Sequence, residues 1–161
     1  MALLKYRKVM KSDSWTHIPD DVELPTRGDI IIGLQRFLDA AIALSDREGR
    51  LGVRIEPDAD IAALLPQLDK LALIAIHFPK FADGRGYSKA RLLRQRHGFE
   101  GELRAVGDVL ADQLFYMQRC GMDAFELKEG KDPARALACL DDLKMTYQGA
   151  ADDPRPLYRR R

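Results

Sequence analysis

Five short apolar runs constrain this chain more than any other feature. They are Ile30–Gly33, Leu51–Ile55, Leu71–Phe78, Glu102–Val106 and Ala124–Leu127. Each holds β-branched or aromatic residues and is too short for a typical helix, so each reads as a buried strand. Between them the apolar residues recur at helical spacing. Leu34, Phe37, Leu38 and Ala41 share one face of a helix ending near Gly49. Ile61, Leu64, Leu65 and Leu68 do the same, with Pro66 shortening or kinking that helix. Ser88 to His97 forms a third, stopped by Gly98. Leu110, Leu114 and Met117 mark a fourth, with Asp108 as its N-cap and Gly121 just past its end. Asp132-Pro133 opens a fifth that runs to about Tyr147.

Strands that alternate with helices in this way build an α/β fold, a parallel sheet with right-handed crossovers. The first and third runs are nearly all apolar and read as central strands. The second, fourth and fifth carry Arg54, Glu102, Arg104 and Glu126, which places them nearer the edges. A five-stranded sheet of order 2-1-3-4-5, the flavodoxin-like arrangement, follows from that ranking. A partial (β/α) barrel has the same unit count and is the alternative. The length of 161 residues suits one domain. Residues 1–27 read as an N-terminal arm with short β segments at 2–9 and 14–18. Residues 28–149 form the α/β domain, and residues 150–161 a flexible arginine-rich tail.

Charge narrows the functional classes. Basic and acidic residues number 26 and 25, a net of +1, which argues against binding nucleic acid by overall charge. No apolar run approaches the roughly 20 residues that span a bilayer. The first residues are too charged for a signal peptide, and the two cysteines, Cys120 and Cys139, form no disulfide framework. A cytoplasmic protein is expected. His17, His77 and His97 lack metal-ligand spacing, so no metal site is expected.

Open parallel sheets bind ligands beyond the carboxyl ends of their strands. The loop after the third run, Pro79 to Ser88, is the longest and most polar of the strand-to-helix loops. Lys80 and Arg85 bring positive charge, with Arg91 one turn later. Gly84 and Gly86 allow close backbone approach. Asp83, Tyr87 and Arg104 complete this first group of candidate ligand-binding residues. Asp108, Asp112 and Gln113, after the fourth run, form the second group. Asp108 and Asp112 stand four apart and can share a helix face. The competing reading is a solvated helix face, with Asp83 clamping Arg85. Residues 80–104 hold seven basic and three acidic residues, and residues 108–142 hold four basic and eight acidic. The small net charge therefore conceals a dipolar chain, suited to an anion or an acidic partner surface.

Three stretches are distinctive: Phe78 to Arg94, Gly101 to Tyr116, and Arg119 to Phe125. Together they resemble a family of small bacterial proteins named for an oxidoreductase role in sulfite reduction, commonly encoded beside the sulfite reductase hemoprotein. The likeness spans roughly residues 28 to 148. Met122 stands where a larger apolar residue is common, and the N-terminal arm matches poorly. The resemblance implies a role in assimilatory sulfur metabolism and sulfite reductase as partner. It names neither a cofactor nor a catalytic residue. Two functions are expected from it and from the loops. The first is an accessory protein that docks on sulfite reductase and assists electron delivery or maturation. The second is an oxidoreductase or carrier that binds a nucleotide, flavin or sulfur oxyanion at the loop after the third run.

Overall fold

The computed structural model describes residues 2–40, 44, 47–143 and 145–160. Its eight strands are β1 (Ala2–Lys5), β2 (Lys8–Val9), β3 (Trp15–His17), β4 (Asp29–Gly33), β5 (Leu51–Ile55), β6 (Leu73–Phe78), β7 (Glu102–Gly107) and β8 (Ala124–Leu127). Among the described residues, α-helices α1 (Leu34–Asp39), α2 (Arg85–Arg91), α3 (Leu114–Arg119) and α4 (Pro133–Cys139) follow strands. One mixed sheet holds all the strands in the order β2-β1-β8-β7-β6-β5-β4-β3. Strands β3 to β8 run parallel, while β1 joins β8 and β2 joins β1 antiparallel.

The five runs therefore follow one another in chain order, which replaces the flavodoxin-like order 2-1-3-4-5. Apolarity was a poor guide to centrality for a physical reason. β4 is screened by β3 on its outer side, so it can be apolar near an edge. β7 lies well inside the sheet, yet its polar residues point to one face and find partners there. With no reversal of order, right-handed crossovers keep every helix on the same side. Ile30, Val53, Ile74, Ile76, Leu103 and Phe125 point to that side, where Phe37, Ala90, Leu93, Leu114, Met117 and Ala136 cover them. The alternating residues face the other way. There Trp15, Ile31, Leu73, Ala75 and Val106 form a second, smaller apolar cluster.

The sheet curls around that second cluster. Five strand spacings separate β3 from β8, about 24 Å along a flat sheet. Yet His17 Nε2 lies 3.0 Å from Glu126 Oε1, so the parallel edges face each other. The result is a half-barrel, in keeping with the alternative expected from sequence but with eight strands rather than five. The N-terminal residues complete both edges. β1 and β2 form a hairpin whose turn, Tyr6 and Arg7, takes positive φ at both positions (52° and 58°), the signature of a tight two-residue turn. Residues 10–14 then lead from β2 at one edge to β3 at the other.

Several element boundaries moved. The segment Ile61–Lys70 holds two 3-10 turns, the second with Pro66 in its first turn. α2 starts at Arg85 rather than Ser88 and continues as a π-helical turn, Leu92–Arg96, closed by Gly98 at φ 64°. Asp132 caps α4 by accepting from Ala134 N, with Pro133 in the first turn. That helix ends at Cys139 instead of near Tyr147. Ala41, expected in the first helix, falls outside the described residues. The closing residues are tied down as described below.

Candidate functional site

The loop after β6 and the segment after β7 meet at the carboxyl end of the sheet. Phe81 N donates to Asp108 Oδ2 at 3.2 Å, and Gln113 Nε2 donates to Phe81 O at 2.9 Å. Asp108 also pairs with Lys128, whose hydrogen bond holds its carboxyl below the ordinary value. Asp108 is thus a brace between two loops rather than the cap of α3, which begins six residues later after a 3-10 turn. Asp83 and Arg85 pair with each other. The Arg85 hydrogen bonds bring the Asp83 carboxyl down to about 2. Arg91 Nε donates to Gln95 Oε1 at 2.8 Å. Lys80 is exposed, as is Asp112. Tyr87 sits half-buried between Phe78 and Tyr116, with ring centroids 5.3 and 5.2 Å apart.

The two glycines play different parts. Gly84 has open space around it, whereas a Cβ at Gly86 would lie 2.6 Å from the Phe78 ring. Gly86 lets α2 approach β6 and is buried, so it presents no backbone to a ligand. The basic and acidic stretches also interlock instead of keeping apart. Arg94 holds Asp123 through both carboxylate oxygens and caps the carbonyls of Phe99, Gly101 and Gly121. Burial nevertheless keeps the Asp123 carboxyl above its ordinary value.

Arg104 stands apart from the loop. It points from the middle of β7 to the concave face and is 1% exposed. Its Nε reaches Glu102 at 2.6 Å, and its Nη1 reaches Asp13 at 2.5 Å and Glu126 at 2.8 Å. Glu102 pairs in turn with Lys5, and Glu126 with His17. Burial opposes ionisation of Glu126, but hydrogen bonds from His17 and Arg104 outweigh it, and its carboxyl lies below the ordinary value. The Asp13 carboxyl is lowered in the same way, by Arg104 against burial. Glu102 is a neighbour on the same strand, but nothing in the local sequence around Arg104 announces Asp13 and Glu126, because they arrive from the segment between β2 and β3 and from β8.

A second polar row lies nearer the carboxyl end of the concave face. Glu56, just past β5, accepts from Arg54 Nε at 3.0 Å through one oxygen and meets His77 Nδ1 at 2.5 Å through the other. Arg54 and Glu56 also line a cleft of about 810 Å³ with Asp20, Gly33 and Asp58. Sequence spacing gave no sign of the Glu56–His77 contact, since the two residues stand 21 positions apart in the chain.

The closing residues form a separate surface. Ala151 N donates to Arg119 O at 3.0 Å, and Arg119 pairs with Asp152 and also donates to Gln148 O. Leu157 N donates to Tyr147 O at 3.0 Å, which sets the two ends of the segment side by side. On this framework Leu143, Met145, Tyr147 and Tyr158 are 58–73% exposed. Arg159 lies over the Tyr158 ring at 5.7 Å.

The sequence pattern of DUF934, described as a bacterial protein of unknown function, matches residues 52–158. The chain belongs to this family. The DUF934 match runs from β5 through the loop after β6, Arg104 and the closing segment. It leaves out β1 to β4, which complete the sheet edges. No curated relative matches the chain. No helix among the described residues is long and apolar enough to cross a membrane.

Proposed function

We propose that this protein is an accessory protein of assimilatory sulfite reduction that docks on the sulfite reductase hemoprotein and assists electron delivery or maturation. The link to sulfite reduction comes from the resemblance of the Phe78–Arg94, Gly101–Tyr116 and Arg119–Phe125 stretches. The observation that carries docking is the closing segment, where two tyrosines, a methionine and a leucine stand in solvent on a backbone held by Arg119. Tyrosine and arginine are the side chains that most often anchor protein interfaces. Residues 143–161 hold five basic and two acidic residues, so an acidic partner surface complements them. The test is co-purification of the two proteins at low and high salt. Binding at low salt, lost in Tyr147→Ser/Tyr158→Ser with an unchanged melting temperature, is the expected result. Equal recovery of the hemoprotein with wild type and variant would refute docking through this segment.

A second reading is an oxidoreductase or carrier with an anionic ligand at the loop after β6. It draws on Lys80, which has no ion-pair partner among the described residues, and on the open space beside Gly84. Arg85 would have to exchange Asp83 for the ligand. Thermal shifts with FMN, NADPH and sulfite decide it: a shift abolished by Lys80→Ala/Arg85→Ala is expected, and no shift with any of the three removes this reading.

A further inference from the structure

We propose that a cavity at the amino end of β5 is a binding site for a small monocarboxylate with an apolar body. The cavity, of about 380 Å³, lies among β5, the segment that follows α1 and the 3-10 turn Leu65–Lys70. That volume falls at the small end of the range typical of ligand pockets. The strands of this part of the sheet run parallel, so the cavity lies at the opposite end from the loop after β6. It shares no residue with that loop or with the docking segment.

The wall sets the apolar part of the ligand. Phe37, Leu44 and Leu51 line the cavity, and all three belong to the main core on the helix side of the sheet. Water against such a wall finds nothing to bond, so an apolar group that displaces it is favoured. The charged side chains set the rest. Arg47, Arg50 and Lys70 line the same cavity, and no acidic side chain does so among the described residues. Arg50 is neutralised by Asp29, which takes its Nε at 3.1 Å and its Nη2 at 2.6 Å. Arg47 is not. Its terminal nitrogens donate to the carbonyls of Gly28, Gly49 and Arg50, which fix the side chain without cancelling its charge. Lys70 is exposed and has no ion-pair partner among the described residues. Two positive charges beside an apolar wall call for an anion.

The 3-10 turn places the donors. With three residues per turn, Gln67 and Lys70 stand one above the other, and both line the cavity. The Gln67 amide has no hydrogen-bond partner among the described residues, so its N–H can serve a carboxylate oxygen beside the Lys70 ammonium. An inorganic anion such as sulfate would meet the charges and leave the wall wet. A neutral hydrocarbon would do the reverse. A carboxylate on a short hydrocarbon chain uses both.

The experiment titrates the full chain with sodium hexanoate and follows the Leu44 and Leu51 methyl groups and the Gln67 side-chain amide by NMR. Sodium chloride at equal ionic strength is the blank. Saturable shifts at millimolar hexanoate are expected. Each buried methylene is worth about fourfold, so butyrate, two methylenes shorter, should bind about tenfold or more weakly. Lys70→Gln, at an exposed position, should weaken hexanoate about threefold and leave neutral hexanamide unchanged. Shifts no greater than those with sodium chloride overturn the proposal. So do equal affinities for butyrate and hexanoate, sulfate that binds as tightly as hexanoate, or a Lys70→Gln variant that binds hexanoate as the wild type does. None of these outcomes bears on co-purification with the hemoprotein, so the two ideas fall separately.

Discussion

Replacing Arg104 by Met tests whether the charged interior of the half-barrel holds the sheet together. The methionine keeps the apolar stem and removes the guanidinium, leaving Glu102, Glu126 and Asp13 turned toward one another. Side chains of Glu102 and Glu126 are 7% and 10% exposed, so water can do little for them. Asp13 is more open and can turn outward. Removing one member of a buried ion pair costs about 3–5 kcal/mol. At about 2–4 °C per kcal/mol for a chain of this length, the melting temperature should fall by about 6–20 °C. Adding Glu126→Gln should recover part of the loss, because one fewer carboxylate is stranded.

Acid sharpens that test. In the wild type the Glu126 and Asp13 carboxyls are held below their ordinary values, so their stabilisation is full near neutrality. It is lost as the pH falls through those lowered values, below about pH 4. Without Arg104 the carboxyls take up protons more readily, and the variant loses less on acidification. Urea denaturation at pH 7 and pH 4.5 should show the gap between wild type and variant narrowing. A loss under about 1 kcal/mol at pH 7, well short of a broken buried pair, would refute the reasoning, as would a gap that widens in acid.

Other substitutions probe single contacts. Gly86→Ala should destabilise by about 1–3 kcal/mol through overpacking against Phe78 and Ile76, measured by thermal melting, whereas Gly84→Ala should cost less than half as much. Asp132→Ala should cost about 1 kcal/mol by removing the cap of α4, and Asp132→Asn should restore most of it. Asp108→Ala should loosen the loop after β6, seen as faster amide exchange at Phe81, whose N–H it accepts.

The βα alternation was legible in the sequence because burial writes itself into short apolar runs and helical spacing. Strand order was not, because a polar residue on a strand says only that one face is polar. Arg104 and Glu102 looked like edge residues, yet they stand on an inner strand with partners that come from distant parts of the chain. The loop after β6 was found by its length and charge, and its contacts with Asp108 and Gln113 follow from the adjacency of β6 and β7. The Glu56–His77 pair escaped notice for the opposite reason: each residue is unremarkable in its own segment. The tail read as flexible because it lacks periodicity, while its anchor, Arg119, lies in a different element.

The pairing of β1 with β8 joins two strands separated by more than a hundred residues of chain, Ala2–Lys5 and Ala124–Leu127. During translation Ala2–Lys5 can pair early with β2 but waits for its second neighbour until Ala124–Leu127 has left the ribosome. Such distant pairings slow the search for the native state. Any extension fused ahead of Ala2 would ride on a strand whose pairing with β8 cannot form until β8 has been made.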